Sequence, residues 1–321
     1  MDKQKQNMID FLKTRKTLLW LSLFFLFGMG IRIYNLGSHN LWFDEFWSYR
    51  FSRTLGSIKT FDYNPPLYFV LLSIWVKCFG SSEFALRSLS MIFGILSILL
   101  IYRLGKLLFD KKTGLASAFI LSVSPMHIWY SQEARGFSLS VSLVMLIVYT
   151  FILALKKNRV YLWTGFVISS ILALYTNYFS FFIIILVGIL FLSKSYRPLL
   201  RHYLASLCLI SVALLPLIPI FFQQISSLQS GFWILKPKLM SIVITFKNFN
   251  VGYNATRFIS SLTFIIFSLL FIQGITLHFC DAHQKKQVSL IRKQEVRDVY
   301  PAKGIRDIGQ HPYFCDHHNA R

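Results

Sequence analysis

Apolar runs of about 17 to 25 residues alternate with short polar stretches along most of this chain. The runs fall near 17–34, 84–108, 114–131, 136–155, 160–178, 179–193, 203–222 and 256–279. In hydrocarbon every backbone N–H and C=O must be satisfied within the segment, so such runs are read as helices. The pattern predicts an all-α polytopic membrane protein of about eight transmembrane helices. The first run follows Lys13, Arg15 and Lys16 and carries no small-residue cleavage site, so it reads as an uncleaved signal anchor.

The stretch Pro65–Phe79 breaks the pattern. It is short, begins with Pro65 and Pro66, and carries Lys77. It fits an interfacial helix in the first loop better than a span. The basic residues decide its place. If it does not cross, the clusters around Lys13–Lys16, Arg103–Lys112, Lys156–Arg159 and Lys194–Arg201 all fall on one side, which the positive-inside rule makes cytoplasmic. If it crossed, the Arg103–Lys112 cluster would change sides. The segments 35–83, 130–136, 176–180 and 223–255 then share the outer side. Residues 1–280 read as one transmembrane domain and 281–321 as a polar, flexible cytoplasmic tail.

Composition agrees with this picture. The chain is 55% hydrophobic with a mean hydropathy of +0.53. Its net charge of +21 is spread over the short clusters between apolar runs, which argues against nucleic-acid binding. Cys78, Cys208, Cys280 and Cys315 form no metal-ligand or disulfide spacing.

Acids are scarce. Residues 1–280 hold only eight, and Asp2, Asp10 and Asp110 lie beside lysines as edge charges. Asp44 and Glu45 remain, within LWFDEFWSYR, together with Asp62, Glu83 and Glu133. An acid beside hydrocarbon is costly and marks a functional candidate. Asp44 suits a general base at a cavity rim, with a helix N-cap as the alternative. Successive helical residues point about 100° apart, so Asp44 and Glu45 are not expected to share one task. In YSQEARGFSL, Glu133 and Arg135 are candidates to line the same cavity. Arg135 would face a phosphate through its planar fork, and a local ion pair is the alternative. In DYNPPLYF, Asn64 and Tyr68 could orient a polar substrate, or the prolines could simply start a helix. Arg87 is spaced for an ion pair with Glu83, with phosphate contact as the second reading.

Taken in order, these pieces resemble one family. The Asp44–Glu45 pair is followed by PPLYF, WVKCFGSSEFALRSLS, SPMHIWYSQEARGFSL and ALYTNYFSFF. The set resembles the bacterial relatives of the dolichyl-phosphate-mannose protein mannosyltransferases, over about residues 15 to 255. The lipid A aminoarabinose transferase is a more distant relative. The resemblance implies a polytopic glycosyltransferase in the bacterial plasma membrane, active on its outer face. Its donor would be a polyprenyl-phosphate-linked sugar and its acceptor a hydroxyl on a protein, lipid or glycan. Asp44 then matches the family's proposed catalytic carboxylate and Glu45 its neighbour. Glu133 and Arg135 match the QEAR motif facing the cavity. Arg135, helped by Arg87 or Lys59, would stabilise the departing phosphate, and direct displacement would invert the anomeric centre. Where many relatives carry His, this chain has Asn64 and Asn177, which hydrogen-bond but do not titrate near neutrality. No cofactor is called for. A divalent metal is compatible with the family, but no ligand spacing here supports one. The chain also ends earlier than its relatives, which reads as a truncated copy. The rival expectations are an inactive fragment and a lipid or glycan transporter.

Overall fold

The computed structural model describes residues 3–54, 64–228 and 238–251, with short helical pieces at 258, 261–266, 268–269 and 272–273. The chain divides into two units, Met1–Ala255 and Thr256–Arg321. The polar tail assigned to 281–321 lies outside the described residues.

The first unit is helical. In chain order its helices are α1 (Lys3–Ile33), α2 (Phe43–Arg53), α3 (Leu67–Phe79), α4 (Glu83–Leu108), α5 (Lys111–Val123) and α6 (Pro125–Ser131). They continue as α7 (Phe137–Lys157), α8 (Val160–Leu174), α9 (Ser180–Gly188), α10 (Leu200–Leu214), α11 (Leu217–Leu228) and α12 (Leu239–Val251). No strand occurs among the described residues.

Local chemistry sets the boundaries. The Ser82 hydroxyl accepts the Ala85 N–H to open α4, and Asp110 Oδ1 accepts the Thr113 N–H at 2.7 Å to open α5. Pro125 stands at the first position of α6, where a missing N–H costs nothing. It also explains why the run predicted at 114–131 is two helices meeting at Ser124. Helix α7 ends at Asn158, which adopts the left-handed conformation with φ of 44°.

By length and composition, Thr14–Ile33, Glu83–Leu108 and Phe137–Lys157 can each cross a membrane. Arg197–Leu214 and Leu217–Ser226 form a bent pair, broken by 65° beside Pro216, and a fourth span if taken together. Val160–Leu174 and Ser180–Leu192 are shorter apolar helices. The eight expected spans therefore appear as three long helices plus broken or shorter ones. The run expected at 256–279 is described only in fragments. Helix α3, at 13 residues, extends about 20 Å, less than the hydrocarbon thickness.

The spans differ in surroundings. Helix α4 is the central one, with 56% of its apolar window buried, while α1 buries 11% of its own. Leu18, Leu19, Leu23 and Phe27 of α1 are exposed, as expected of a face turned to lipid. Helix α4 packs on α5 and α7, α7 on α8, and α8 on α10. The core between α7, α8 and α10 is aromatic. Phe151 and Phe166 are fully buried with ring centroids 5.1 Å apart, and Trp163, Phe191 and Tyr203 surround them.

Long-range bonds gather the loops at one end of this unit. Arg87, at the start of α4, donates to the carbonyls of Leu36, His39 and Asn40. The Leu67 N–H donates to the Tyr175 carbonyl at 2.9 Å, and Gln224 Nε2 donates to the Asn64 carbonyl at 3.2 Å. The segments grouped on one side by the basic pattern thus meet at one end of the helices.

Candidate active site

Helix α2 places two neighbouring carboxylates in different settings. Its first turn begins after Trp42, so Asp44 and Glu45 are its second and third residues. Asp44 is therefore not the N-cap. Glu45 Oε2 accepts the Trp42 N–H at 3.3 Å, closing the helix start.

Glu45 is 1% exposed. Its carboxylate takes a two-point bond from Arg87, at 2.8 Å from Nε to Oε1 and 2.7 Å from Nη2 to Oε2. The Ala134 N–H donates to Oε1 at 2.8 Å. Every N–H of Arg87 is used, since Nη1 reaches the Leu36 and His39 carbonyls and Nη2 the Asn40 carbonyl. This corrects three expectations. Arg87 pairs with Glu45, 42 residues away, and not with Glu83. It has no donor left for a phosphate. Glu45, with its oxygens taken up by four donors, is placed to fix α2 against α4 and the 132–136 turn.

Asp44 points elsewhere, as the 100° rotation anticipates. Its carboxylate forms a close ion pair with Arg135, and the two side chains are 38% and 17% exposed. The Arg135 guanidinium also lies over the Phe137 ring, 5.1 Å from its centroid. The Arg135 partner is thus Asp44 and not Glu133. Glu133 and Arg135 share a backbone bond, the Arg135 N–H donating to the Glu133 carbonyl at 2.7 Å, and the Arg135 charge acts on the Glu133 carboxyl without an ion-pair contact.

Glu133 is 8% exposed, and its Oε1 accepts from the Trp129 indole. Its Oε2 is buried with no hydrogen-bond partner among the described residues. The residue sits in the turn between α6 and α7, outside the spans. Burial pushes its carboxyl up to about 7, the Trp129 bond opposes the shift, and the nearby charge of Glu45 adds to it.

A partly open pocket lies beside this group. Ser48, Asn64, Tyr68, Arg135, Gly136 and Asn177 are among its lining residues. Four of the residues singled out in the sequence therefore come together. Their polar groups are partly committed. The Tyr68 hydroxyl shares a 2.8 Å bond with Ser90, whose own hydroxyl donates to the Arg135 carbonyl. Tyr68, 2% exposed, thus supports the turn from behind. Asn177 Oδ1 accepts the Phe179 N–H at 2.9 Å just ahead of α9. Gly136 lets the turn approach closely, since a Cβ there would lie 3.2 Å from Tyr68 Cβ. Lys59 and Asp62 lie outside the described residues.

Sequence reasoning passed over Arg32, which is fully buried. Its donors reach the carbonyls of Gly28, Leu121 and Ser122, the Ser131 hydroxyl, and His127 Nδ1 at 2.8 Å. It locks the end of α1 to the break between α5 and α6. Its place at the edge of an apolar run made it look like a boundary charge, although an arginine next to hydrocarbon is itself a signal. Among the described residues, no three His, Cys, Asp or Glu side chains gather as a metal site would require.

Comparison with known proteins bears on this arrangement. Residues 63–222 match the family model described as dolichyl-phosphate-mannose-protein mannosyltransferase. The match starts after Asp44 and Glu45. No curated protein sequence matches the chain. Solved structures share its fold. The Saccharomyces cerevisiae protein O-mannosyltransferase Pmt1-Pmt2 complex, bound to the sugar donor, aligns over 65% of this chain and 34% of its own, at 20% identity and a TM-score of 0.51. The Archaeoglobus fulgidus oligosaccharyltransferase AglB, with an inhibitory peptide and a dolichol-phosphate, aligns over 96% of this chain and 42% of its own, at 18% identity and a TM-score of 0.53. A structure of the Archaeoglobus fulgidus oligosaccharyltransferase with zinc and sulfate covers 80% of this chain and 40% of its own, at 17% identity and a TM-score of 0.52. The chain therefore spans less than half the length of each of these structures.

Proposed function

We propose that this chain, whose residues 63–222 match the dolichyl-phosphate-mannose-protein mannosyltransferase family model, transfers a sugar from a polyprenyl-phosphate donor to an acceptor hydroxyl. The observation that carries this reading is the half-exposed Asp44–Arg135 pair at the edge of the pocket. It offers one carboxylate and one guanidinium where a phosphosugar and a hydroxyl could meet.

The chemistry assigns each a task. Arg135 engages the donor phosphate, for which its fork is shaped. That engagement releases Asp44 from its ion pair. The acceptor oxygen attacks the anomeric carbon as its proton passes to Asp44, and the bond from that carbon to the phosphate oxygen breaks. The lipid phosphate leaves as an anion held by Arg135, and Asp44 returns its proton to water. Direct displacement inverts the anomeric centre. Glu45 and Arg87 act as positioning residues by holding α2 and the 132–136 turn together. Asn64 and Asn177 line the sugar side of the pocket. Lys59 remains a second candidate for the phosphate.

We place the site on the outer face of the plasma membrane, on the strength of the four basic clusters. Single cysteines at Ser38 and Lys112, in a background lacking Cys78, Cys208, Cys280 and Cys315, test this. An impermeant thiol reagent on intact cells should label the first and spare the second, and the reverse would invert the topology. The reaction is tested by following release of free lipid phosphate from polyprenyl-phosphate mannose, glucose or aminoarabinose by the purified chain in nanodiscs. Release that needs Asp44 supports the reading, and none from any of the donors counts against it.

A further inference from the structure

The other end of helix α4 carries a second cavity, formed by residues of α1, α4, α5 and α7. Arg87 and Lys106 are 19 residues apart on one helix, or about 28 Å, close to the roughly 30 Å of a hydrocarbon core. The cavity therefore sits about one membrane thickness from the Asp44–Arg135 pair.

Its chemistry is one-sided. Arg103, Lys106 and Lys111 line it, with Tyr102 and Tyr149 supplying hydroxyls. Among the described residues, none of those lining it is a carboxylate. Asp110 precedes Lys111, but its carboxylate is turned to the Thr113 N–H as a helix cap. Lys156, at the same end, is already bonded to the Leu107 carbonyl at 2.8 Å. The three cations are exposed and share this cavity, and α4 and α5 approach closely beside them. A Cβ on Gly105 would lie 2.9 Å from Gly114 Cα, and one on Gly114 would lie 2.7 Å from the Tyr102 carbonyl oxygen. The turn from α4 to α5 is thus tight, and Lys106 and Lys111 line the same cavity on either side of it. Concentrating like charge in this way is unfavourable without an anion to offset it.

The wall beside the cations is apolar. Leu18 and Leu107 line the cavity, and Leu18 continues into the exposed apolar face of α1. A ligand with an anionic head and a hydrocarbon chain matches both parts. We infer that this cavity binds the phosphate headgroup of an anionic phospholipid from the leaflet opposite the Asp44 site, its acyl chain lying along α1. The cations supply charge, the tyrosine hydroxyls supply donors, and the lysine stems cover the rim. The inference is independent of the transfer reaction.

The test measures binding of fluorescent phosphatidylglycerol and phosphatidylcholine to the purified full chain in detergent. The wild type should prefer phosphatidylglycerol by about tenfold or more, given roughly fivefold per basic residue near a lipid surface. The triple variant Arg103→Gln, Lys106→Gln, Lys111→Gln should lose that preference. A control with as many charges removed outside the cavity, Lys157→Gln, Arg159→Gln, Lys194→Gln, should keep it within about twofold. If the triple variant lacks a thermal transition, Lys106→Gln alone should weaken phosphatidylglycerol by about fivefold. Equal binding of the two lipids would overturn the site. So would equal losses in the triple variant and the control, which would mean diffuse attraction only. Displacement of the lipid by millimolar inorganic phosphate would make it a site for free anions and not for a lipid.

Discussion

Two ion pairs start from adjacent residues of one helix, and they differ in everything that decides function. Glu45 and Arg87 are buried, joined at two points, and saturated by backbone donors and acceptors. Asp44 and Arg135 are partly exposed, and their pair stands at the edge of a pocket. A buried pair with no spare valence can hold structure but cannot meet a substrate. A partly exposed pair holds little structure, and either partner can be drawn away by a ligand. The difference teaches that the DE dipeptide is two devices, one for each face of α2.

The largest effect should come from breaking the buried pair. Glu45→Ala leaves Arg87 charged and unpaired, which typically costs about 3–5 kcal/mol. Thermal unfolding in detergent should show a large drop, and an unchanged transition would remove Glu45 from its structural role. Arg135→Lys should do the opposite. It keeps the charge and loses the fork, so donor use should weaken by roughly tenfold, as for one lost charged hydrogen bond. Stability should change by less than about 1 kcal/mol, in line with exposed pairs. Combined with Asp44→Asn, the losses in turnover should be less than additive, because the residues are in contact. Full additivity would separate their roles.

The smallest effect concerns Glu133, which belongs to neither pair. Its carboxyl titrates near 7 when folded, against 4.5 as its ordinary value, because it is buried. Between those values the folded chain binds more protons than the unfolded one, so its stability falls as pH rises from about 4.5 to 7 and levels off above. Glu133→Gln should flatten that slope, a change on the order of 1–2 kcal/mol. Melting curves across that range check it, and an identical slope in the variant would place the titrating group elsewhere.

Much of this arrangement was legible in the sequence, and the rest was not for identifiable reasons. The long apolar runs gave α1, α4 and α7 because their period and length leave one reading. The number of spans was less accessible. Pro125 and Pro216 interrupt runs whose composition looks continuous, and they divide helices that hydropathy joins. The basic clusters grouped loops that bond to one another at one end of the helices. The separation of Asp44 from Glu45 followed from helical rotation alone. Their partners did not follow. Local spacing favoured Glu83 for Arg87 and Glu133 for Arg135, whereas both arginines reach back to α2 across the bundle. Such pairings depend on which helix ends meet, and no spacing rule encodes that. Tyr68 lines the pocket, and the bond of its hydroxyl to Ser90, 22 residues on, is likewise a long-range pairing that no local spacing encodes.

The measurement that bears most directly on the division between the two pairs is turnover per folded molecule for Asp44→Asn and Glu45→Gln, side by side. Folded protein is counted by thermal transition, and turnover by release of lipid phosphate from the donor. Asp44→Asn should keep its melting behaviour and lose about 10²–10⁴-fold in turnover, the usual range for a general base. Glu45→Gln should melt earlier, while the molecules that remain folded turn over within about tenfold of wild type, as expected if it acts through structure. A folded Glu45→Gln without turnover, beside an active Asp44→Asn, would contradict the account.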